Sequence, residues 1–512
     1  MQANTFNLES MMLRIKRAKS NKRLWEHRLR ECYKYAMPEK NTIDQFNKGQ
    51  NKRHGVYDST AIQALEDYAS RMESQLVPAW RKWFKLEAGS EIPEENKKEV
   101  EDYLEKATDI IFDHINHSNF NAQVKETFLD LGISTGAIIV EEGDGINTSL
   151  NFRSVSLSQV ILERSERGIP ETVWREIKVT AADIESIWPR AKITSSIKQK
   201  IDKDPSCEVT LIEGIALDYK TKKYISMLIY EEEKEVLYDE FVERNPWIVF
   251  RESTISGEVY GRGRVMKCID DIKTLNKMVE DYLLSLEWQA NPIFTGVTDS
   301  IHNPFTNGIR PGVILPVFSN ETSNPTLQAL NVGGNPQLLD FAIKTYQDHI
   351  RQALMSKPFG NIEESPVRSA TEMSIRNSDL QSVQGSASGR LQTELIERLI
   401  GSVAKILIDA GKLKPMKIDG KMVTIKFTSP VARQQDADEV MVAMQLMEMF
   451  QGLDPAKVER EVKTEDLPGW LIDKMGAPAS FKRSEAEKQE FDKKQEAMMQ
   501  QAMAAQGGNG AV

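Results

Sequence analysis

The segments Pro246-Trp-Ile-Val-Phe-Arg251, Gly257-Glu-Val-Tyr-Gly-Arg-Gly-Arg264 and Asp270-Asp-Ile-Lys-Thr-Leu-Asn276 decide the fold of this chain. The first is a short apolar run typical of a β-strand, and glycines then interrupt the pattern. From about residue 265, apolar side chains recur at helical spacing until Asn291-Pro292. These positions are Met266, Ile269, Leu275, Met278, Tyr282, Leu283 and Leu286. A helix over residues 265–290 would be about 38 Å long at about 1.5 Å per residue, which suits a subunit that must traverse something.

The composition is that of an ordinary soluble protein with several subdomains. The 512 residues are 40% hydrophobic and 28% charged, with a formal net charge of −10. No apolar run has membrane-spanning length and the first residues do not resemble a signal peptide, so we expect the protein to be made and used in a cytosol. Three cysteines stand far apart without metal-ligand spacing. We therefore predict no disulfide framework and no metal or other cofactor.

Positive charge is concentrated in the N-terminal arm. Residues 1–53 carry 13 Lys/Arg against 5 Asp/Glu, a net charge of +8, which leaves −18 for the remainder. The arm also contains a helical apolar stripe formed by Trp25, Leu29, Cys32, Tyr33 and Ala36. The pattern favours a packed helix with a solvated basic face. A role facing nucleic acid or a protein partner is the alternative.

Helical and β-prone patterns divide the region before residue 250. We predict a helix that is capped by Asp58 or Ser59 and ends before Pro78, with further helices over about 94–116 and 119–133. The following region predicts a mostly antiparallel β structure with a brief helix capped by Thr180. Its strands are expected over 137–140, 149–155, 159–162, 172–179, 208–217, 223–230 and 235–242.

A second long helix follows a segment rich in Pro, Gly and Asn. Residues 292–334 contain short β-prone pieces, and Asn335-Pro336 then favours a helix start. The apolar positions of this second helix are Leu338, Phe341, Ile343, Tyr346, Ile350 and Leu354. Beyond it we predict the regions that follow in chain order: a loop over 356–369, a helical zone over 370–411, a strand over 422–427, a helical segment over 436–503 and a disordered tail over 504–512.

The motifs of common enzymes are absent from the sequence. There is no Gly-x4-Gly-Lys-Ser/Thr phosphate loop, no His-Glu-x-x-His and no Gly-x-Ser-x-Gly. His114 and His117 lie three residues apart on a predicted helix, but no third ligand has suitable spacing, so a polar helix end is favoured over a metal site. We therefore expect no catalytic activity. A nuclease with unfamiliar motifs is the alternative that metal-dependent DNA cleavage would reveal.

A polar stripe runs along the second long helix, opposite its apolar positions. It consists of Lys344, Gln347, Asp348 and Arg351. Such a stripe is usually a solvated face. In a ring of such helices the same face would line a central bore.

Several separated segments together resemble the head-to-tail connector, or portal protein, of short-tailed bacteriophages. Their order and spacing carry the resemblance, which spans about residues 10–430, whereas no matching motif occurs after about residue 436. The segments are Val56-Tyr-Asp-Ser-Thr-Ala61, Pro78-x4-Trp83-Phe84, Phe250-Arg251, Gly257-Glu-x-Tyr260-Gly261-Arg262, Asp271-Ile-x-x-Leu275-Asn276, Ser369-Ala-Thr-Glu372 and Gly389-Arg390-Leu-x3-Leu395-Ile396-x-Arg398.

The resemblance implies an α+β portal fold: an α/β wing, a two-helix stem, a small β-containing clip and a helical C-terminal crown. The regions so implied follow in chain order: 1–264 wing, 265–290 first stem helix, 291–335 clip, 336–355 second stem helix, 356–369 tunnel loop, 370–435 wing helix and strand, and 436–503 crown or C-terminal region.

The function implied is a DNA channel at one vertex of the capsid, in a virion assembled in the host cytoplasm. A ring of about twelve copies would pass double-stranded DNA during packaging and ejection. The expected partners are the terminase large subunit, a tail adaptor protein, and the major capsid and scaffolding proteins. We expect Lys344, Arg351, Lys357 and Arg368 to line the channel. A helical scaffold or adaptor protein of the virion that forms no pore is the competing interpretation.

Overall fold

The computed structural model describes residues 8–41, 50–88, 94–145, 148–164, 168–218, 223–297, 313–317, 327–329, 336–356, 389–414, 423–427, 430–450, 468 and 470–471. The α-helices in this part are α1 (Leu8–Ala36), α2 (Thr60–Leu76), α3 (Glu94–Asn116), α4 (Phe120–Ile133), α5 (Ile184–Ile187), α6 (Ser195–Lys203), α7 (Arg264–Ala290), α8 (Pro336–Ala353), α9 (Glu397–Asp409) and α10 (Pro430–Phe450). A π-helical turn, Gln392–Ile396, precedes α9. No helix in these ranges is both long and apolar enough to cross a membrane.

The strands build four sheets in the described ranges. They are β1 (Phe84–Ala88), β2 (Thr135–Glu142), β3 (Leu150–Ser154), β4 (Val160–Leu162), β5 (Val173–Thr180), β6 (Glu208–Asp218), β7 (Lys223–Tyr230), β8 (Glu235–Val242), β9 (Trp247–Arg251), β10 (Phe294–Val297), β11 (Ile314–Val317), β12 (Leu327–Ala329) and β13 (Val423–Phe427). This mixture of helices and sheets confirms the predicted α+β class.

The largest sheet has five strands in the order β4-β5-β6-β7-β8, and all its neighbours are antiparallel. Met11, Ile15 and Ala18 of α1 pack against one face, in a core with Trp174. Residues of α5 and α6 pack against the opposite face of the same sheet. Because alternate residues of a strand face opposite sides, both faces of this sheet are covered.

A second sheet, β3-β2-β9, is also antiparallel and packs against α4. Two edge-to-face aromatic pairs join it to that helix: Phe120 with Phe152, whose ring centroids are 5.0 Å apart, and Phe128 with Phe250 at 6.1 Å. The seven strands predicted between residues 137 and 242 are all present, with antiparallel pairing. The prediction of a mostly antiparallel region is therefore confirmed.

Helix α1 is a packed amphipathic helix. Leu29, Cys32, Tyr33 and Ala36 of the predicted stripe are buried, whereas Trp25 is half-buried. Burial raises the pKa of the Cys32 thiol to about 12, so the thiol stays protonated near neutral pH. All three cysteines are free.

Two details differ from the prediction. The brief helix after Thr180 begins as the 3₁₀ turn Ala181–Asp183 and continues into α5, while α6 was not predicted. Strand β1 was also not predicted, and it pairs with β13. There Trp83 and Phe84 are buried and Trp80 is 77% exposed.

The chain divides into two compact units. The first comprises residues 1–81 and 85–426, and the second comprises residues 82–84 and 427–512. Helix α10 belongs to the second unit and exposes Met441, Val442, Met444, Leu446 and Met449. Most of the predicted tunnel loop and crown, residues 370–388 of the helical zone and the whole 504–512 tail lie outside the described residues.

Candidate functional site

The two long helices, α7 and α8, form an antiparallel pair. They pack along each other, and Arg264 at the start of α7 donates from Nη1 to the Ala353 carbonyl at the end of α8, at 3.3 Å. The buried residues of α7 all lie between Val265 and Asn276. The pair therefore has a buried base, where α7 begins and α8 ends, and a distal end that is more exposed.

The distal end carries apolar side chains that the isolated chain leaves exposed. Their exposed fractions are 49% for Leu283, 45% for Leu284, 38% for Leu286, 67% for Leu338 and 69% for Phe341. We call these five residues the distal apolar surface. Leu283 with Leu286, and Leu338 with Phe341, are each three residues apart and so lie on one side of their helix. Exposed apolar side chains grouped in this way at one end of a helix pair are a candidate surface for contact with another protein.

At the base, Arg264 fixes the start of α7 by a charged hydrogen-bond network. Its Nε donates to Glu252 at 2.7 Å, and Glu252 also accepts from the hydroxyl of Tyr68 at 3.0 Å. Burial raises the pKa of Tyr68 well above its usual value, so the hydroxyl remains a neutral donor. These bonds join α2, the end of β9 and both long helices.

Helix α2 also holds the residue that follows α8. The guanidinium of Arg71 donates to the carbonyl oxygen of Ser356 at 2.9 Å, and the Ser356 hydroxyl donates to Asp67. Both α2 residues lie one turn apart on the same face. The exit of the chain from α8 is therefore held by two side chains of one helix.

The loop before α2 clamps both long helices. The Asn276 side chain of α7 accepts from the backbone N–H of Tyr57 at 2.7 Å and donates to the carbonyl of Gly55 at 3.0 Å. Gln347 of α8 donates to the Asp58 carboxylate at 3.0 Å. Asp58 also accepts from the N–H of Thr60 at 2.8 Å. Of the two predicted caps, Ser59 holds the N-cap position of α2, without a side-chain cap bond. One short loop thus fixes two helices that are far away in sequence.

A buried ion pair connects β9 to the π-helical turn before α9. Arg251 and Glu394 are only 3% and 5% exposed, and their closest atoms are 2.7 Å apart. Glu394 also accepts from the backbone N–H of Arg251 at 3.0 Å. The guanidinium donates further to the carbonyls of Val259 at 3.0 Å and Gly168 at 2.6 Å. These bonds satisfy a charge that would otherwise be costly to bury.

The glycines ahead of α7 allow close backbone contact. A Cβ at Gly261 would collide with the Ser134 carbonyl, and one at Gly263 would collide with the Gly132 carbonyl. Gly257 has a φ of +91°, a left-handed turn conformation. These glycines therefore have a structural role in the turn and close packing ahead of α7.

The predicted channel residues that lie in the described ranges are both on α8. Lys344 forms an ion pair with Asp340 at 2.8 Å, which raises the pKa of the lysine, and Arg351 pairs with Asp348 at 3.5 Å. Seven residues separate the two cations, so they share one side of the helix. Lys357 and Arg368 lie outside the described residues, so their positions stay predictions.

The described residues contain no group of three or more His, Cys, Asp or Glu side chains arranged to hold a metal ion. His117 contacts the carbonyl of Asp113 through Nδ1 at 2.7 Å. Burial lowers the pKa of His114. This arrangement is that of a polar helix end.

Most of the segments that carried the family resemblance meet at or near this base. Asn276 binds the segment that contains Tyr57, and Arg251 binds Glu394 beside Leu395, although 219 and 143 residues separate the two pairs. The sequence did not assign these partners. One signal for Asn276 was available in the sequence: it is a polar residue next to Leu275 on an apolar helix face. Such a residue is expected to be buried and therefore to need a hydrogen-bond partner.

Comparison with known proteins now defines the class. The chain matches the family of bacteriophage head to tail connecting proteins over residues 8–482, and it belongs to that family. It is also similar to the probable portal protein of Bordetella phage BPP-1, with 20% identity over 434 residues that cover 81% of this chain and 77% of the relative.

Membership of this family confirms the predicted resemblance. It gives the chain a portal role in the virion, as part of the connection between the phage head and tail.

Proposed function

We propose that copies of this chain assemble into a closed ring of about twelve subunits at one capsid vertex, with α7 and α8 around a central DNA channel. Double-stranded DNA would pass through this channel during packaging and ejection. Residues 291–335 would dock the terminase large subunit and later a tail adaptor, while the capsid and scaffolding proteins would contact the outside of the ring, which assembles in the host cytoplasm.

The observation that supports a ring is the distal apolar surface. Exposed apolar side chains on both long helices have a favourable free energy of burial of about 25 cal/mol per Å². A head-to-tail arrangement of identical subunits would cover this surface on every copy, because each subunit places one side of its helix pair against the opposite side of the next. An adaptor that forms no pore requires no such repeated contact.

The test is the double substitution Leu338→Ser and Phe341→Ser. Both side chains are more than two-thirds exposed in the isolated chain, so folding should be unchanged. We expect native mass spectrometry and electron microscopy to show rings for the wild type and mainly monomers for the variant. Ile187→Ser, which also removes an exposed apolar side chain, is the control and should form rings. Rings of undiminished stability in the double variant would contradict the proposal.

The paired charges on α8 support a channel that lets DNA slide. Each free Lys or Arg that contacts a phosphate adds a salt-dependent attraction, which would slow movement. Lys344 and Arg351 each have an aspartate within 4 Å, so the helix presents alternating charges with a weak net field. We expect Asp340→Asn together with Asp348→Asn, which frees both cations, to slow packaging in an infection assay. Alanine at Lys344, Arg351, Lys357 and Arg368 tests the channel-lining residues, and unchanged packaging and DNA retention would refute their assignment.

The proposed role requires no catalytic activity of the chain itself. The energy for packaging would come from a separate ATPase. Incubation of purified rings with duplex DNA and magnesium should leave the DNA intact, whereas cleavage that a chelator abolishes would favour the nuclease alternative.

A further inference from the structure

The outer face of α1 carries two exposed leucines that lie outside the hydrophobic cores of the described residues. Leu13 is 58% exposed and Leu24 is 81% exposed. The opposite face of the same helix is anchored in the protein by Met11, Ile15, Ala18, Leu29 and Cys32, all of which are buried. The helix is therefore fixed in place by one face while the other presents apolar side chains to solvent.

The two leucines lie along one line on the outer face of α1, between two rows of cations. They are eleven residues apart, which is about three helical turns, so they lie nearly in line and about 16 Å apart along the axis. Exposed cations flank this line on both sides, with Lys16 and Arg23 on one side and Arg17 and Arg28 on the other. An apolar centre between two charged edges is the pattern of a helix that packs on another helix.

The outer cations differ from the other cations of α1. Arg14 pairs with Glu163 and Lys19 pairs with Glu176, each at 2.8 Å, so these two hold the helix on the protein. Within the described ranges, Lys16, Arg17 and Arg23 form no ion pair. With no ion-pair partner among the described residues, their charge is available to another molecule.

We propose that the outer face of α1, from Leu13 to Arg28, docks an acidic amphipathic helix of a partner protein. Glutamates or aspartates at the edges of that helix would meet the flanking cations, and its apolar positions would cover Leu13 and Leu24. The leucines distinguish this occupant from nucleic acid, because a phosphate backbone offers no apolar surface to cover a side chain that is 81% exposed.

The test uses a labelled synthetic peptide of about three heptads, with leucine at the a and d positions and glutamate at e and g. Its binding to the full-length protein is followed by fluorescence anisotropy at low ionic strength. We expect Leu24→Ser to weaken binding by at least about fivefold, and Arg17→Glu with Arg23→Glu by at least about tenfold. A peptide of the same composition in scrambled order should bind at least about tenfold more weakly. Lys198→Glu with Lys203→Glu, the same charge change on α6, is the control and should have no effect.

Three results would overturn the proposal. The first is that the scrambled peptide binds as tightly as the designed one and that Leu24→Ser does not weaken binding, which would mean that only the peptide's charge matters. The second is tighter binding of a duplex DNA of about 20 base pairs, lowered by the arginine substitutions and unchanged by Leu24→Ser, since this would define a nucleic-acid surface. The third is a loss of oligomers in the Leu24→Ser variant, which would assign the face to a contact between copies of this chain.

Discussion

Replacing Glu394 by glutamine tests whether the buried ion pair holds the base of the helix pair. The substitution keeps the shape of the side chain but removes the charge that faces Arg251. Because the two side chains are 3% and 5% exposed, water cannot replace the lost charge. The glutamine oxygen can still accept a hydrogen bond, but its NH2 group cannot accept those that the second carboxylate oxygen of Glu394 accepts from Arg251. Breaking a buried pair in this way costs about 3 kcal/mol, a factor of roughly 100 in the equilibrium for local opening.

Hydrogen–deuterium exchange measures this opening directly. Peptides that cover β9 and the π-helical turn should exchange roughly 100-fold faster in Glu394→Gln, while α6 should be unchanged. The matched control is Glu240→Gln, which breaks a 2.8 Å pair with Arg190 whose side chains are 42% and 71% exposed. An exposed pair contributes no more than about 1 kcal/mol, so the control should change exchange little. Equal effects of the two substitutions would refute the reasoning.

Three further substitutions test other contacts. Burial lowers the pKa of Lys22 to about 8, so between about pH 8 and 10.5 the unfolded state binds more protons than the folded state. Lys22 should therefore make the wild type more stable as the pH rises through this range. Thermal melting should show that Lys22→Met lacks this contribution. Asn276→Leu leaves the Tyr57 N–H and Gly55 carbonyl without their partner, at a cost of about 2 kcal/mol, and limited proteolysis should cut residues 50–57 faster. Gly263→Ala should lower the melting temperature by several degrees through its collision with the Gly132 carbonyl, whereas Gly389→Ala, with open space around it, should not.

The sequence predicted the elements well because their signals are local. The apolar spacing after residue 265 predicted a helix over 265–290, and α7 spans Arg264–Ala290. The short β-prone runs between residues 137 and 242 similarly matched strands, since each run has turn residues at its ends. Periodicity did not predict the non-helical backbone at Cys268 within α7, where φ is −111° and ψ is 15°.

The contacts between distant segments could not be predicted from the sequence. Neither the pairing of Arg251 with Glu394 nor that of Asn276 with the 55–58 loop has a local signature, because each depends on how separate elements pack. The same limit applies to the predicted channel residues. Periodicity places Lys344 and Arg351 on one side of α8, but the side that faces a bore depends on neighbouring subunits.

The two ends of the helix pair are stabilised by different forces, and this separates their roles. Hydrogen bonds and ion pairs are directional, so the network of Arg264, Glu252 and Asn276 fixes the angle at which α7 and α8 leave the base. The distal apolar surface is exposed in the isolated chain, and apolar burial is non-directional. A ring requires the angle to be set within each subunit before neighbours meet. Substitutions at the base should therefore lower the stability of the monomer, whereas Leu338→Ser and Phe341→Ser should affect assembly alone.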